Sequence, residues 1–516
     1  MRRALRCLIA ALAIPLACCA PPSTAGQAAA NEVRSPVLDP GAPPALLPSP
    51  CWGAVPPGVT ARCGYVTVPE NRRNPSGNRA VRLALMILGA DNATCTQAPT
   101  VLLGGGPGQH TIALVVDLLG RYQRLLDRGF PAPGRFMPLD DMKQFAAVME
   151  RLVAELRERQ LILLDQRGTG YSEPSLACDG REWRSCRRRL AAAGIDLGAY
   201  NTVENAHDVN DVRVALGLDR VNLRAGSYGT RLALEVLRRY PATVRAAVLD
   251  GVSPPQILWG EEMARRYDEA LGVLFTHCRE DRRCQEAYPG LDRVFYETVR
   301  RLNQRPAPVA VGEHHPTLDG DDFRDMAWNA LFDVQKARWL PAMIWRAARG
   351  DTTIWGEMIA ANAAEHAGGL MSWGMHYSIE CSGSWAFQSP RRLAEAASRL
   401  DPAIRGGVVR TLETPFGICA DWRVPPVPEV KAPVQSDVPV LLLSGEFDPG
   451  TPPAFAEIAA RTLPRSYRYV LPYLGHTDGF TSACHASIVL AFLDDPAHAP
   501  DTSCLAGMDR AAFEIR

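Results

Sequence analysis

The chain has 516 residues, 47% of them hydrophobic, and its 56 basic residues balance its 56 acidic residues to a formal net charge of zero. This length and apolar content are sufficient for one large globular domain that carries an insertion. The balanced charge argues against a nucleic-acid binder, which needs a basic excess to neutralise phosphates. It favours a small neutral or zwitterionic substrate.

The N-terminus has the pattern of an export signal over residues 1–20. Three arginines within the first six residues precede an apolar run, Cys7–Leu16, that is too short to span a bilayer. The run leads into Cys18 and Cys19 in a sequence similar to a bacterial lipobox, and ordinary cleavage further along is the alternative. Residues 21–50 are rich in Pro, Ala and Ser, which predicts a flexible tether. We expect an exported protein that is periplasmic, extracellular or attached to the bacterial envelope membrane through an N-terminal lipid.

Fourteen cysteines indicate disulfides formed in an oxidising compartment. Without Cys7, Cys18 and Cys19 eleven remain, and the sequence leaves their connectivity open. Close spacing favours three disulfides that close small loops: Cys51–Cys63, Cys178–Cys186 and Cys278–Cys284. Two further pairs, Cys381–Cys419 and Cys484–Cys504, would leave Cys95 free. Zinc is the alternative for close cysteines, but the sequence has no CxxC pair and no HExxH run, so we expect no metal.

Short apolar runs that end in turns predict β-strands, with helical patterns between them. In chain order the runs are Gly64–Val68, Val81–Leu88, Thr100–Leu103, Leu161–Leu164, Val221–Arg224, Ala246–Leu249, Val438–Leu443 and Tyr467–Leu471, and a last helix is predicted over Cys484–Leu493. Strands that alternate with helices indicate an α/β fold with a mostly parallel sheet and helices on both faces.

This alternation stops over residues 253–432, where the sequence is mainly helical and holds eight of the ten tryptophans. Helices are expected over Trp259–Cys278, Arg338–Ala348 and Pro390–Arg399. We interpret this segment as a helical lid inserted between two parts of one core, 51–252 and 433–516. Most of the tryptophans should anchor helix packing, with one or two of them lining a substrate pocket.

A serine lies in a sharp-turn motif between a predicted strand and a predicted helix. The run Ala225-Gly226-Ser227-Tyr228-Gly229 matches G-x-S-x-G with alanine in place of the first glycine. A strand–turn–helix at this motif exposes the serine oxygen above the sheet, where a base can take its proton. Ser227 is therefore the candidate nucleophile.

The loops after the last two predicted strands supply the other candidate catalytic residues. Asp448 follows the strand that ends at Leu443, and His476 follows the strand that ends near Leu471. The chain order Ser, acid, His is the one expected for hydrolases with this serine motif. We predict that Asp448 orients the general base His476, with Glu446 as the competing acid.

The loop Gly104–Gly108 is the candidate for the oxyanion hole. Its glycines follow a buried strand and allow the backbone to approach a substrate closely. We expect the backbone N–H groups of Gly105, Gly106 and Tyr228 to face the developing negative charge.

These motifs resemble those of the prolyl aminopeptidase and tripeptidyl aminopeptidase family of α/β-hydrolases. Gly104–Gly108 is similar to its HGGPG loop, with glycine where histidine is usual, and Asp165–Ser172 is similar to its D-Q-R-G-x-G-x-S run. Gly226–Thr230 matches G-S-Y-G-T, and Asp448–Cys484 resembles the C-terminal region of the secreted tripeptidyl aminopeptidases. The resemblance implies an α/β-hydrolase fold with a lid, and hydrolysis through an acyl-enzyme.

One departure from the family bears on the substrate. Family aminopeptidases often carry a C-x-E-D run in the lid, whose carboxylates hold the free amino group of the substrate. The matching run here is Cys381–Ser384, which reads C-S-G-S and has neither carboxylate. Glu380, one residue earlier, is the candidate replacement, and Trp385 is the aromatic residue beside it.

The sequence therefore predicts an exported serine hydrolase that needs no cofactor. An aminopeptidase that releases residues or short peptides from the N-terminus of small peptides is the leading interpretation. A carboxylesterase or lipid acyl hydrolase on the same triad is the alternative. A non-catalytic binding protein is disfavoured, because all three triad residues are present.

Overall fold

The structure is a computed structural model that describes residues 43–74, 79–89, 97–132, 139–156, 158–178, 182–309, 317–366, 369–508 and 513–515. The predicted export signal (1–20), most of the predicted tether and Cys95 lie outside these ranges. Within them, no helix combines the length and the apolar character needed to cross a bilayer.

A nine-stranded sheet forms the centre of the fold. The described strands are β1 (Leu46–Ser49), β2 (Ala61–Pro69), β3 (Ala80–Leu88), β4 (Thr100–Leu103), β5 (Leu161–Leu164), β6 (Val221–Gly226), β7 (Val244–Asp250), β8 (Ala307–Pro308), β9 (Thr317–Leu318), β10 (Val440–Gly445) and β11 (Ser466–Leu471). The sheet order is β1-β2-β3-β5-β4-β6-β7-β10-β11, and β8 pairs only with β9. Neighbours from β5 to β11 are parallel, whereas β1, β2 and β3 are antiparallel. The predicted mostly parallel sheet is confirmed.

Helices fill most of the remaining chain. In order they are α1 (Thr111–Arg128), α2 (Leu139–Glu155), α3 (Trp183–Ala192), α4 (Thr202–Ala215), α5 (Tyr228–Arg239), α6 (Trp259–Arg266), α7 (Glu269–Glu280), α8 (Arg282–Ala287), α9 (Leu291–Gln304), α10 (Gly320–Ala330), α11 (Val334–Ala337), α12 (Leu340–Ala348), α13 (Thr353–His366), α14 (Trp373–Ser382), α15 (Pro390–Ala396), α16 (Pro402–Trp422), α17 (Pro453–Ala460) and α18 (Ala483–Asp494). Short 3-10 turns connect several of them.

Both faces of the sheet are covered because successive side chains of each strand point to opposite sides. On β3, Leu83 and Leu85 belong to a core shared with α4 and α5. Ala84 and Met86, which alternate with them, belong to a core shared with α1 and α2. The prediction of helices on both faces is therefore confirmed.

The end of the predicted tether is part of the sheet, and that part of the prediction was wrong. Leu46–Ser49 form β1 and pair antiparallel with β2, with Leu46 opposite Val66. Leu46 also packs against the core. The proline-rich composition of residues 21–50 gave no strand signal. The strand depends on backbone partners that come from a later segment of the chain.

Between β7 and β10 the described chain adds helices α6 to α16 and the β8–β9 hairpin, but no strand of the main sheet. This is the segment interpreted as a lid; its limits, 253 and 432, remain a prediction. The expected helix over Trp259–Cys278 is two helices, α6 and α7. The break follows Tyr267, whose buried hydroxyl donates to Asp325 Oδ1 at 2.6 Å. That tertiary contact has no local sequence signal.

The three closely spaced cysteine pairs and the two further pairs considered with them are the disulfides in the described chain: Cys51–Cys63, Cys178–Cys186, Cys278–Cys284, Cys381–Cys419 and Cys484–Cys504. Cys381–Cys419 joins α14 to α16, two helices of the segment between β7 and β10. Cys484–Cys504 instead joins α18 to the C-terminal turn.

Candidate active site

Ser227 occupies the turn between β6 and α5. Its φ of 55° and ψ of −128° are strained for a residue with a side chain, as expected at a sharp functional turn. Its backbone N–H donates to Asp250 O at 2.9 Å. A Cβ at Gly229 would collide with Leu103 O at the end of β4, so only glycine allows α5 to start this close to the sheet. The small residues of the motif thus place Ser227 at the carboxyl edge of the parallel strands.

Asp448 and His476 meet just beyond the ends of β10 and β11. His476 Nδ1 lies 2.8 Å from Asp448 Oδ2. The other carboxylate oxygen, Oδ1, accepts backbone N–H groups from Gly450 at 2.9 Å and Thr451 at 2.8 Å. Because Nδ1 donates to the carboxylate, Nε2 is the nitrogen left to accept a proton. This is the arrangement that a general base requires.

The electrostatics of this pair agree with that role. Burial by itself would raise the pKa of the Asp448 carboxyl, but the charge and hydrogen bond of His476, with hydrogen bonds from Thr451, hold that pKa below its ordinary value. Burial would lower the pKa of the His476 imidazole, yet the Asp448 carboxylate outweighs it and the pKa is raised. An ionised carboxylate therefore lies beside an imidazole that binds protons more tightly than usual.

Glu446, the competing acid, lies elsewhere. Its carboxylate contacts His277 Nε2 at 2.9 Å and accepts the backbone N–H of Tyr473 at 3.0 Å. Asp448 is thus the acid that reaches His476.

Two residues that lie beside His476 were not identified from the sequence. Thr451 Oγ1 donates to Asp448 Oδ2 at 2.7 Å and lies 3.1 Å from His476 Nδ1. The carbonyl of Phe332 accepts the backbone N–H of His476 at 2.9 Å, and the two rings meet edge to face with centroids 5.1 Å apart. Thr451 follows Asp448 by three residues, a spacing that could have suggested it. Phe332 comes from the distant helical segment and had no such signal.

Ser227 and His476 line the same cavity, which has a volume of about 310 Å³. No hydrogen bond joins their side chains within the described residues. Such contacts are often long in ligand-free enzymes and tighten when substrate binds. Trp259 and Trp385 also line this cavity, and both belong to the helical segment between β7 and β10. In the described ranges, no three His, Cys, Asp or Glu side chains are grouped as a metal site would need.

The loop Gly104–Gly108 packs directly against Ser227. A Cβ added to Gly105 would lie 3.0 Å from Ser227 Cβ, a tighter contact than is usual, so glycine favours this close approach. The N–H of Gly105 already donates to Gln109 Oε1 at 3.1 Å. The N–H groups of Gly106 and Tyr228 have no acceptor among the described residues. Of the three predicted donors, these two are available to an oxyanion in this conformation.

Glu380 and His376 lie one turn apart on α14, and both line the cavity. His376 Nδ1 contacts Pro107 O at 3.1 Å, which links α14 to the glycine loop. Burial holds the pKa of the His376 imidazole below its ordinary value despite the nearby charge of Glu380. The Glu380 carboxylate itself forms no hydrogen bond or ion pair within the described chain. The structure therefore brings Glu380 and Trp385 to the same cavity as Ser227.

The chain is similar in sequence to a hydrolase fold family and to several known proteins. Residues 133–483 match the family described as alpha/beta hydrolase fold. The chain is 26% identical over 297 residues to YuaR of Escherichia coli (strain K12), a protein named as a hydrolase, over 52% of this chain and 52% of that protein. It is 24% identical over 447 residues to serine protease Hip1 of Mycobacterium tuberculosis (strain ATCC 25618 / H37Rv), over 76% and 77% of the two chains. It is 30% identical over 141 residues to proline iminopeptidase of Neisseria meningitidis serogroup A, over 26% and 39%.

These similarities differ in extent. The match spans about half the length of YuaR and about three quarters of the length of Hip1. The relatives named as peptidases confirm the resemblance that the serine, glycine-loop and D-Q-R-G motifs indicated. The family match covers more than half of the chain and agrees with the observed sheet. The chain therefore belongs to the alpha/beta hydrolase fold family.

Proposed function

We propose that this protein is an exported aminopeptidase that hydrolyses small peptides through an acyl-enzyme at Ser227. The observation that carries the proposal is the Glu380 carboxylate, which has no ion-pair partner among the described residues, in the cavity that Ser227 lines. A substrate ammonium taken out of water needs a paired negative charge, which Glu380 supplies. The names of the Hip1 and proline iminopeptidase relatives support a peptidase.

In the proposed reaction, Ser227 Oγ attacks the substrate carbonyl carbon while His476 Nε2 takes the hydroxyl proton and Asp448 holds the imidazole. The carbonyl oxygen becomes an oxyanion that accepts hydrogen bonds from the N–H groups of Gly106 and Tyr228. His476 then gives its proton to the leaving amine as the C–N bond breaks. Water attacks the acyl-enzyme by the same route and releases the acid.

Export is the second part of the proposal. Five disulfides in the described chain support folding in an oxidising compartment. Mass spectrometry of the mature N-terminus tests this part: a lipidated Cys18 or Cys19, or a free N-terminus created by cleavage, supports export. An uncleaved Met1 in the purified native protein would contradict it.

Glu380→Gln tests the peptidase assignment. For arylamide substrates with a free α-amino group, the variant should lose about 2–5 kcal/mol of transition-state binding, the range for truncating one partner of a buried charge pair. A simple acyl ester has no ammonium, and its kcat/KM should barely change. Glu446→Gln is the matched control: its carboxylate contacts His277 outside the cavity, so both substrates should be hydrolysed as by the native protein.

The same panel tests the alternative function. Equal losses on peptide and ester would give Glu380 a structural role. If Glu380→Gln shows no loss on either substrate, and the ester is hydrolysed faster than every free-amine arylamide, the protein should be assigned as a carboxylesterase instead of an aminopeptidase.

A further inference from the structure

One buried arginine differs from the others in the described chain. Arg159, Arg167 and Arg324 are buried, and each has a guanidinium nitrogen within 2.8 Å of an aspartate oxygen. Arg231 is also buried, with 7% of its surface exposed, but it forms no ion pair with any described carboxylate. A buried charge without a counter-charge is costly, so this exception calls for a functional reason.

Arg231 belongs to the wall of the catalytic cavity. Its Nη2 donates to two neutral oxygens, Ser253 Oγ at 3.2 Å and Pro254 O at 3.5 Å. Its Nε is buried without a hydrogen-bond partner. Burial lowers the pKa of the guanidinium, and the charge of Glu380 only partly opposes this. The guanidinium therefore keeps hydrogen-bonding capacity and an unneutralised charge in the cavity.

The surroundings of Arg231 add positive charge. The Lys431 Nζ donates to Ile257 O at 2.8 Å, and burial together with the charge of Arg231 lowers the pKa of Lys431 to about 7. Glu380 is the carboxylate that acts electrostatically on both cations, but it lies beyond ion-pair distance from either. Arg231 and Glu380 therefore line the cavity without forming an ion pair, and Lys431, which is not part of the lining, adds positive charge beside them.

We infer that Arg231 binds a carboxylate of the substrate, in the cavity where Glu380 faces the substrate ammonium. The inference rests on the proposed function, in which a peptide is the acyl donor to Ser227. The planar guanidinium can donate two parallel hydrogen bonds to a carboxylate, which makes arginine the side chain suited to this task. The preferred substrate is then zwitterionic around the scissile carbonyl.

The position of Arg231 indicates which carboxylate is bound. Arg231 follows Ser227 by four residues and lies in the first turn of α5, and both residues line the cavity. A substrate carboxylate bound to Arg231 is therefore separated from the attacked carbonyl by no more than the length of one amino-acid side chain. This favours an acidic side chain on the residue whose carbonyl is attacked. The C-terminal carboxylate of a very short peptide is the second source of the same group.

Charge-matched substrates test the inference. With glutamyl and glutaminyl arylamides, which differ by one charge, the native protein should prefer glutamyl by about tenfold or more in kcat/KM. In Arg231→Gln this ratio should fall to about one, and a ratio is insensitive to a general loss of activity. Arg231→Lys keeps the positive charge but loses the planar guanidinium that can donate two parallel hydrogen bonds. Its ratio of kcat/KM for glutamyl over glutaminyl substrates should therefore be intermediate. Alanyl-alanine and alanyl-alanine amide, compared in the same way, test whether Arg231 binds the C-terminal carboxylate of a very short peptide.

A binding experiment makes the test independent of turnover. In the Ser227→Ala protein, calorimetry should show the α-amide of glutamate, or free alanyl-alanine, binding about tenfold or more tighter than its uncharged partner. Adding Arg231→Gln should remove that difference; if this variant does not fold, Arg231→Lys should reduce it. Carboxylate-selective binding without hydrolysis of any arylamide would sink the proposed function and leave this inference standing. No carboxylate preference in either pair, no measurable binding of any of the four ligands, or a preference that survives both Arg231 variants would overturn the inference.

Discussion

Thr451 Oγ1 donates to Asp448 Oδ2 at 2.7 Å, while the same oxygen of Asp448 receives His476 Nδ1 at 2.8 Å. The hydroxyl and the imidazole therefore share one carboxylate oxygen. The other oxygen is occupied by the backbone N–H groups of Gly450 and Thr451. Asp448 is buried, so these contacts replace the water that an exposed carboxylate would have.

This sharing makes Thr451 a positioning residue whose removal can be measured. Thr451→Val keeps the size of the side chain but removes the donor, which should cost about 1–3 kcal/mol at the buried carboxylate. We expect kcat/KM to fall roughly five- to a hundredfold, with less effect on KM than on kcat. Thr451→Ser retains the hydroxyl and should recover most of the activity. Equal activity of the valine and serine variants would contradict this role.

The raised pKa of His476 predicts an acid limb in the pH profile. His476 must be neutral to accept the Ser227 proton, and its pKa lies above the ordinary 6.5 because the Asp448 carboxylate outweighs burial. kcat/KM should therefore fall as the pH decreases through a midpoint above 6.5. Asp448→Asn removes the charge, so the midpoint should move down and the rate should drop steeply. A midpoint at or below 6.5 in the native protein would contradict the electrostatic argument.

The raised pKa of His476 also makes the stability of the fold depend on pH. A histidine whose folded-state pKa is raised stabilises the fold fully below its unfolded pKa and loses this contribution as the pH rises through its folded pKa. The free energy of unfolding, followed by denaturant titration across this range, should depend on pH less steeply in Asp448→Asn than in the native protein.

Ser227→Ala should abolish hydrolysis of every substrate, because no other group can form the acyl-enzyme. Loss of a triad member costs on the order of a million-fold in rate. The variant should also fail to react with a fluorophosphonate probe, while its circular dichroism stays native. Ser253→Ala, a change to another serine in the cavity wall, should still label. Persistent labelling of Ser227→Ala would remove Ser227 from the nucleophile position.

The Cys381–Cys419 disulfide should affect substrate binding as well as stability. It joins α14, which carries Glu380, to α16, which carries Pro415, and both of those residues line the cavity. Replacing both cysteines by serine should cost about 2–5 kcal/mol in the free energy of unfolding. It should also raise KM. Serine replacement of Cys484 and Cys504, which lie away from the cavity lining, should lower stability without changing KM. Equal effects on KM would contradict the structural role of α14.

The local parts of the site were predictable because they depend on short stretches of sequence. A small-residue turn between a strand and a helix identifies Ser227, since only such residues allow that close packing. Asp448 and His476 follow from their places after β10 and β11, because parallel strands end at one edge of the sheet. Most strands were also predictable, as buried apolar runs bounded by turns.

The tertiary structure decided what depends on segments distant in the chain. Folding brings Phe332 to His476 and leaves Arg231 without an ion pair among the described carboxylates, and neither feature has a signature in its own stretch of sequence. The same holds for β1, whose partner strand comes later in the chain. Sequence alone determined the candidate nucleophile and its candidate base and acid, since each is defined by a local turn or a strand end. Only the folded chain determined which charges meet in the cavity, because burial and pairing depend on all the surrounding segments at once.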